Sequence, residues 1–241
     1  MEAADVLDEA AVERALGDRP KRFYPALIST ESDAIAWAAS GGPEGAVVVA
    51  GHAITPRGHG ERPWVLKPEK SVLFTFIVRP NLPPLKAGLL YMVGVSGIAD
   101  VLGEGTTIEW PADVYRGDVL AGAVGVRTSS DPGRIQWATI SCVVFDADGP
   151  RAQLLQEVVE AVEHRYQSPP AQVLADYTPR CTTLGRRVCA RLVPVGPAGR
   201  RIAGRAALAR DDGSLMIEVE QGRMVPVRPQ SVGLLEDAEE A

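Results

Sequence analysis

The chain has 241 residues, 46% of them apolar and 23% charged, which suits one catalytic-sized domain with a small appended one and excludes a disordered or fibrous protein. Its 25 Lys and Arg against 31 Asp and Glu give a formal charge of −6, so no general attraction to nucleic acid or to an anionic membrane is expected. The longest uncharged apolar stretch, residues 87–99, falls short of the ~20 residues of a membrane-spanning helix. Glu2, Asp5, Asp8 and Glu9 at the start do not make a secretory signal. Three cysteines, Cys142, Cys181 and Cys189, without CxxC spacing, fit a reducing, cytoplasmic setting and neither a disulfide frame nor a zinc site.

In chain order, Val6, Leu7, Val12 and Leu16 recur at helical spacing and stop at Gly17, which predicts a short amphipathic helix. A second helix follows Ser29-Thr30, either of which could cap it, with Ala34, Ile35, Trp37 and Ala38 as its apolar face and Gly41-Gly42-Pro43 as its end. The β-branched runs 46–50 and 72–78 read as buried strands. Residues 85–102 predict a helix despite their glycines, and strands are expected at Ile108, 119–127 and 135–145, with Gly117-Asp118 as a hairpin turn. Residues 152–166 align Leu154, Leu155, Val158, Val159, Val162 and Tyr166 on one helical face, and Ser168-Pro169-Pro170 breaks that helix. From about residue 184 the pattern changes to short strands at 187–195, 201–209, 215–219 and 223–227, separated by Asp212-Gly213 and Gln221-Gly222. This predicts a small barrel over 184–235, followed by a frayed acidic tail at 236–241.

Two segments carry candidate chemistry. The loop Thr55-Pro56-Arg57-Gly58-His59-Gly60-Glu61-Arg62-Pro63-Trp64 sits between two buried strands. Its glycines let backbone N–H groups approach an anion, its arginines can neutralise phosphate or carboxylate, and Trp64 can cover an apolar ligand; an ordinary basic surface loop has the same composition. The corner Trp110-Pro111-Ala112-Asp113 can set Asp113 at a cleft mouth, where a carboxylate holds Mg²⁺ or a ribose hydroxyl, or it is a structural turn on a core tryptophan. The histidines His52, His59 and His164 lack metal-ligand spacing. His164 suits a helix C-terminus, and Cys142 reads as a packed core residue.

Taken in order, Ser29-Thr30, the strand 47–50, the Arg57-Gly58 loop closing at Arg62 and Trp64, the Trp110-Pro111-x-Asp113 corner and Leu120-Ala121-Gly122 resemble the biotin protein ligase family, within the wider biotin/lipoate ligase group. The family patterns are an STN opening, a GRGRxGRxW loop, a KWPND corner and a KLAG strand. The C-terminal part is similar too, with Leu184-Gly185-Arg186-Arg187-Val188, Gly204-Arg205-Ala206 and Asp212-Gly213-Ser214-Leu215. The resemblance spans roughly residues 10–235 and implies an α+β fold: a mixed β-sheet flanked by helices over 1–183, followed by an SH3-like barrel. Some members carry an N-terminal DNA-binding segment and act as repressors. Fewer than 30 residues precede Ser29-Thr30 here, so that role and a nucleic-acid partner are not expected.

The resemblance implies ATP-dependent formation of biotinyl-adenylate and transfer of the biotinyl group to a lysine of a carrier domain. ATP, Mg²⁺ and biotin would be the ligands, and a biotin carboxyl carrier-type domain or related acyl carrier the partner. Carried over by position, Ser29, Thr30, Arg57, Gly58, His59, Arg62, Trp64, Trp110, Asp113 and Gly122 would form the ligand and adenylate site. The departures are specific. The KLAG lysine is Val119, the STN asparagine is Glu31 and the WPND asparagine is Ala112. The GIGIN strand end reads Thr139-Ile140-Ser141-Cys142-Val143, and Pro56, His59 and Glu61 replace two glycines and an arginine of the loop. Ala53 stands where a ligand-contacting glutamine is common. An attenuated or altered ligase for biotin, with lipoate or another acyl acid as the alternative substrate and Arg57, Arg62, Arg116 or Arg127 together with Mg²⁺ supplying charge, is therefore one expectation. A non-catalytic relative that binds a carrier domain, a ligand or an enzyme subunit is the other, with acyl transfer without ATP behind both. No membrane partner is expected, and an open sheet edge could pair two copies into a homodimer.

Overall fold

The computed structural model describes residues 7–196 and 199–238. Helix α1 (Glu9–Leu16) starts on Asp8, whose carboxylate accepts from the Ala11 N–H, and stops at Gly17, as its pattern predicts; Val6 lies outside the described residues. Helix α2 (Thr30–Ala39) is capped by Ser29, with Ser32 N donating to its Oγ. Strands β1 (Lys21–Tyr24), β2 (Val47–Ala50), β3 (Val72–Val78), β4 (Thr106–Glu109), β5 (Asp113–Arg116), β6 (Val119–Ser130) and β7 (Ile135–Val144) form one sheet in the order β1-β2-β3-β7-β6-β5-β4. Only the β1–β2 pair is parallel, so the sheet is mixed.

The two faces of this sheet have different cover. Helices α3 (Leu89–Leu102) and α4 (Arg151–Gln167) pack on one face and build the main core with Phe74, Phe76, Val124 and Ile140. Residues 84–102 are long and apolar enough to span a membrane by composition, but they are mostly buried, which makes α3 a core helix. The opposite face is covered at one end by α2, over Val48 and Ile77, and at the other by Trp64, over Ala50, Leu73, Ala123 and Val143. Between these covers lies the region that the candidate residues share.

After α5 (Pro170–Tyr177), strands β8 (Arg187–Leu192), β9 (Arg201–Ala209), β10 (Leu215–Glu218), β11 (Met224–Val227) and β12 (Val232–Asp237) make an antiparallel sheet in the order β11-β10-β9-β8-β12. Four elements were not legible in the pattern: β1, with only four half-buried residues, β5, α5 and β12. The last corrects the start of the expected acidic tail, because Glu236 and Asp237 belong to β12 and pair with Arg191 and Arg186; 239–241 lie outside the described residues. The C-terminal sheet is pinned to the large one at two glycines. Gly213, at φ +80, presses its backbone against Gly88 ahead of α3, and Trp110 Nε1 donates to the Gly213 carbonyl at 3.0 Å.

Helices α3 and α4 meet as closely as their backbones allow at Gly97, where a Cβ would fall 2.8 Å from Val162 N and Cα. Alanine is the better helix former by ~1 kcal/mol, but overpacking against backbone costs about 1–3 kcal/mol, and the clash wins. Gly97→Ala is expected to lower the urea midpoint of unfolding; an unchanged or raised midpoint would show that the helices can separate.

Candidate functional site

The site is built around the loop between β2 and β3. The Gly58 N–H donates to the Arg62 carbonyl and the Trp64 N–H to the Pro56 carbonyl, both at 2.9 Å, closing a tight hairpin that bridges Arg57 and Pro63. Pro56 thus lacks a donor but serves as an acceptor. A Cβ on Gly58 would come within 2.6 Å of three atoms of the Trp64 indole, so only glycine lets the loop lie flat on the ring. On its other side Gly58 rests on Gly125 of β6, where a Cβ would come 3.4 Å from the Gly58 Cα. Trp64 is thus buried between loop and sheet, and its Nε1 has no partner among the described residues.

The tip of the loop reaches the C-terminal sheet. His59 Nε2 lies 2.8 Å from the Pro229 carbonyl, which can only accept, so the proton sits on Nε2. The ring meets Tyr91 of α3 edge-on at 5.4 Å. Burial pushes the His59 pKa down and lifts the Tyr91 phenol to about 12, so both stay neutral near pH 7. Gly60 and Glu61 both have φ in the left-handed region, +64 and +61. Position 61, a glycine in the GRGRxGRxW pattern, thus takes a backbone that favours glycine while carrying a carboxylate, at a cost of about 1–2 kcal/mol.

Two cavities flank this tip. One, of about 440 Å³, is lined by Arg62, Glu109, Trp110 and Asp113 with Val195 and Leu234 of the C-terminal part. The other, of about 320 Å³, is lined by Glu61, Tyr91, Arg127, Val193 and Gln230. Each holds an arginine that is already neutralised. Arg62 binds both oxygens of buried Asp113, and burial keeps that carboxyl above its ordinary pKa despite the guanidinium. Arg127 binds Glu61 and, at 3.2 Å, Glu31 at the start of α2. Burial raises the pKa of Glu31 more than Arg127 lowers it. Arg57 is exposed, with one guanidinium nitrogen on the Glu61 carbonyl at 3.1 Å.

The expected site residues divide accordingly. His59, Arg62, Trp110 and Asp113 line the cleft, while Arg57, Gly58 and Trp64 belong to the same loop but line neither cavity. Ser29 caps α2, while Thr30 is buried in a hydroxyl chain, with Thr75 Oγ1 2.9 Å from both Thr30 Oγ1 and Ser141 Oγ. Gly122 lies on the opposite face, where a Cβ would meet Ile98 of α3 at 2.8 Å; it is next in the strand to Asp113's partner Ala123 and so points the other way. Val119, at the lysine position, is 67% exposed and pairs with Arg116, whose guanidinium is held by Asp148 and the Leu102 carbonyl. Arg116 therefore does not serve the cleft. Cys142 is buried, its thiol pKa pushed up by desolvation, as a packed cysteine requires.

Sequence reasoning passed over Glu31 as a charge partner, together with Thr75, Tyr91 and Gly125. The usable signal was strand alternation, since Gly125 and Arg127 stand two apart and so share a face. Among the described residues no group of three or more His, Cys, Asp or Glu could hold a metal.

No protein-family model matches the chain. It is 29% identical over 225 residues to the biotin–[acetyl-CoA-carboxylase] ligase of Mycobacterium tuberculosis, covering 83% of each chain. Its fold matches that of the biotin protein ligase from Aquifex aeolicus in complex with biotin and ATP, with a TM-score of 0.70, 17% identity and coverage of 91% of this chain and 99% of that one. The biotin acetyl coenzyme A carboxylase synthetase of Helicobacter pylori with bound biotinylated ATP matches at a TM-score of 0.64 and 18% identity, over 87% and 100% of the two chains.

Two outcomes follow from the paired charges. Glu61→Gly frees Arg127 of one carboxylate and suits the left-handed backbone, so it is expected to bind pyrophosphate several-fold more tightly in calorimetric titration. Equal affinity would show that Arg127 does not face the ligand. Glu31, with its folded pKa above the unfolded value, binds more protons folded than unfolded between those two values, so its contribution to stability falls as pH rises through them. The stability difference between wild type and Glu31→Gln, from urea unfolding, should therefore shift against wild type as pH rises above the ordinary carboxylate range of about 4; a shift in its favour would mean that Arg127 outweighs burial.

Proposed function

We infer that this chain belongs to the biotin protein ligase family, and we propose that it activates biotin with ATP and passes the biotinyl group to a lysine of a carboxyl carrier domain. The observation that carries this reading is the cleft between the Arg57–Trp64 loop and the C-terminal sheet, where Arg62, Arg127, Asp113 and Trp110 converge. Similarity to a biotin–[acetyl-CoA-carboxylase] ligase over 83% of the chain supports it.

The cavity of about 440 Å³ has the size of a small-molecule site, commonly about 300–1,000 Å³. Its donors suit Mg²⁺ that arrives on a polyphosphate, since that ion usually takes one or two carboxylates from the protein. Asp113, beside Glu109, would be the first of these, and the ion would supply positive charge to the phosphates. In the first step the carboxylate oxygen of biotin attacks the α-phosphorus of ATP, an acyl–phosphate bond forms, and pyrophosphate leaves with the broken Pα–O bond. In the second, a lysine amine attacks the acyl carbon and AMP leaves.

The first step brings two anions together, so it depends on cations fixed in place beforehand. With Val119 at the lysine position, Arg62 and Arg127 are the candidates, each of which must exchange its carboxylate for substrate. Arg57 lies beside them at the loop surface. The guanidinium fork suits either partner.

A second reading keeps the fold and the binding without the chemistry. What favours it is the closed Thr30–Thr75–Ser141 hydroxyl chain, fully buried where the family pattern has a glycine at position 141. One incubation separates the two readings: biotin, ATP and Mg²⁺, with lipoate and octanoate in parallel, monitored for pyrophosphate and for an acyl-adenylate by mass spectrometry. Acid-dependent adenylate is expected, reduced ~10²- to 10³-fold in Arg62→Ala with the circular dichroism spectrum retained. A folded sample that makes no adenylate from any of the three acids would refute the ligase reading.

A further inference from the structure

We propose that the outer face of β8 and β9 is the docking surface for an acidic acceptor protein, with Arg187, Arg201 and Arg205 as its charged contacts. The proposal rests on the ligase reading, because that reaction requires a protein substrate whose lysine reaches the cleft.

Across β8 and β9, Arg187 stands directly opposite Arg205, and Arg191 opposite Arg201. Like charges at directly opposed positions destabilise a sheet. In this quartet Arg191 has a carboxylate, Glu236 at 2.6 Å. Arg187, Arg201 and Arg205 are exposed and form no ion pair among the described residues, although Glu218 lies across the strand from Arg205. Elsewhere in the chain Arg19, Arg62, Arg127 and Arg165 are each tied to at least one carboxylate, while Arg57 and Arg79 bind backbone carbonyls. Between positions 187 and 237, the span of this sheet, there are eight arginines, no lysine and six acidic residues, a net +2 inside a chain of net −6. Cation excess is thus concentrated on the face where it is least compensated.

Position and chemistry define the partner. β8 runs directly into the connection to β9, whose Val193 and Val195 line the cleft and are 60% and 50% exposed. A protein seated on β8 and β9 would have an apolar rim beside its charged contacts and would overhang the cavity where the acyl group is transferred. Guanidinium forks match carboxylates as well as phosphates, but the net negative charge of the rest of the chain opposes a long polyanion. An acidic protein surface of limited extent therefore fits better than a polynucleotide.

The test uses the double variant Arg201→Glu/Arg205→Glu, both exposed positions, with an acidic biotin carboxyl carrier domain as probe. The KM for the carrier domain is expected to rise about tenfold, and raising the salt should produce a similar loss in wild type. Pyrophosphate release with biotin and ATP alone should stay unchanged, which keeps a docking defect distinct from a failed first step. Fluorescence anisotropy of the labelled carrier domain measures docking without catalysis, so the proposal is tested even if no adenylate forms. Weaker binding by the variant, and displacement from wild type by polyglutamate, support the surface. Equal KM and affinity in the two proteins would overturn it. So would displacement by a single-stranded oligonucleotide in preference to polyglutamate, or a dimer of the chain in sedimentation that the double variant disrupts.

Discussion

The contact on which the cleft depends is the one between Gly88 and Gly213. At Gly88 a Cβ would stand 2.6 Å from the Asp212 carbonyl, and at Gly213 it would fall within the Gly88 backbone. Two chain segments 125 residues apart in sequence therefore touch without side chains between them. Trp110 reinforces the junction by donating its indole N–H to the Gly213 carbonyl, and Thr183 Oγ1 accepts the Trp110 N–H at 2.8 Å. Once the C-terminal sheet is held there, Pro229 and Gly233 come within reach of the loop tip. The walls of both cavities are then fixed by backbone, which leaves the loop side chains free to take part in binding.

Charge inside the cleft is nearly self-cancelling. Arg62 with Asp113, and Arg127 with Glu61 and Glu31, keep their cations close to where an anion would enter. Burying an unpaired guanidinium is expensive, whereas a paired one can be held in a half-buried cleft at modest net gain. The carboxylates thus make it possible to keep arginines there in the ligand-free state. The two pairs are not equivalent. Asp113 is buried, and Glu61 sits on an exposed turn of left-handed backbone, so the Arg127–Glu61 contact is the weaker one to exchange.

Much of the fold was legible because its signals are local. Caps at Asp8 and Ser29, the turn at Gly117-Asp118, and apolar runs such as Val72–Val78 each specify an element within a few residues. β1 and β12 were not legible, because their pairing partners are distant and their sequences are only half-apolar. The site was legible as a set of segments but not as a set of faces. Gly122 and Gly125 lie three residues apart in one strand, yet one admits Ile98 of α3 and the other admits the loop. Residues an odd number apart in a strand point to opposite faces, and which of the two faces the loop covers is decided by packing between distant segments. Nothing in the composition of that stretch announces it.

The same geometry bears on Val119, the residue that falls at the lysine of the KLAG pattern. Val119 begins β6 at the rim of the hairpin, exposed and beside Arg116, which is already committed to Asp148 and the end of α3. A lysine there would approach the cleft from the hairpin, with its long flexible stem as the only guide. Arg127 instead projects from the middle of β6, on the face that carries Gly125 and the loop, and Arg62 projects from the loop itself. Cations supplied from these positions are shorter-leashed and tied to the loop's own closure. Charge in the cleft is thereby coupled to the hairpin that Gly58 and Trp64 hold flat, and a change that lifts the loop removes Arg62 and the partner of Arg127 together.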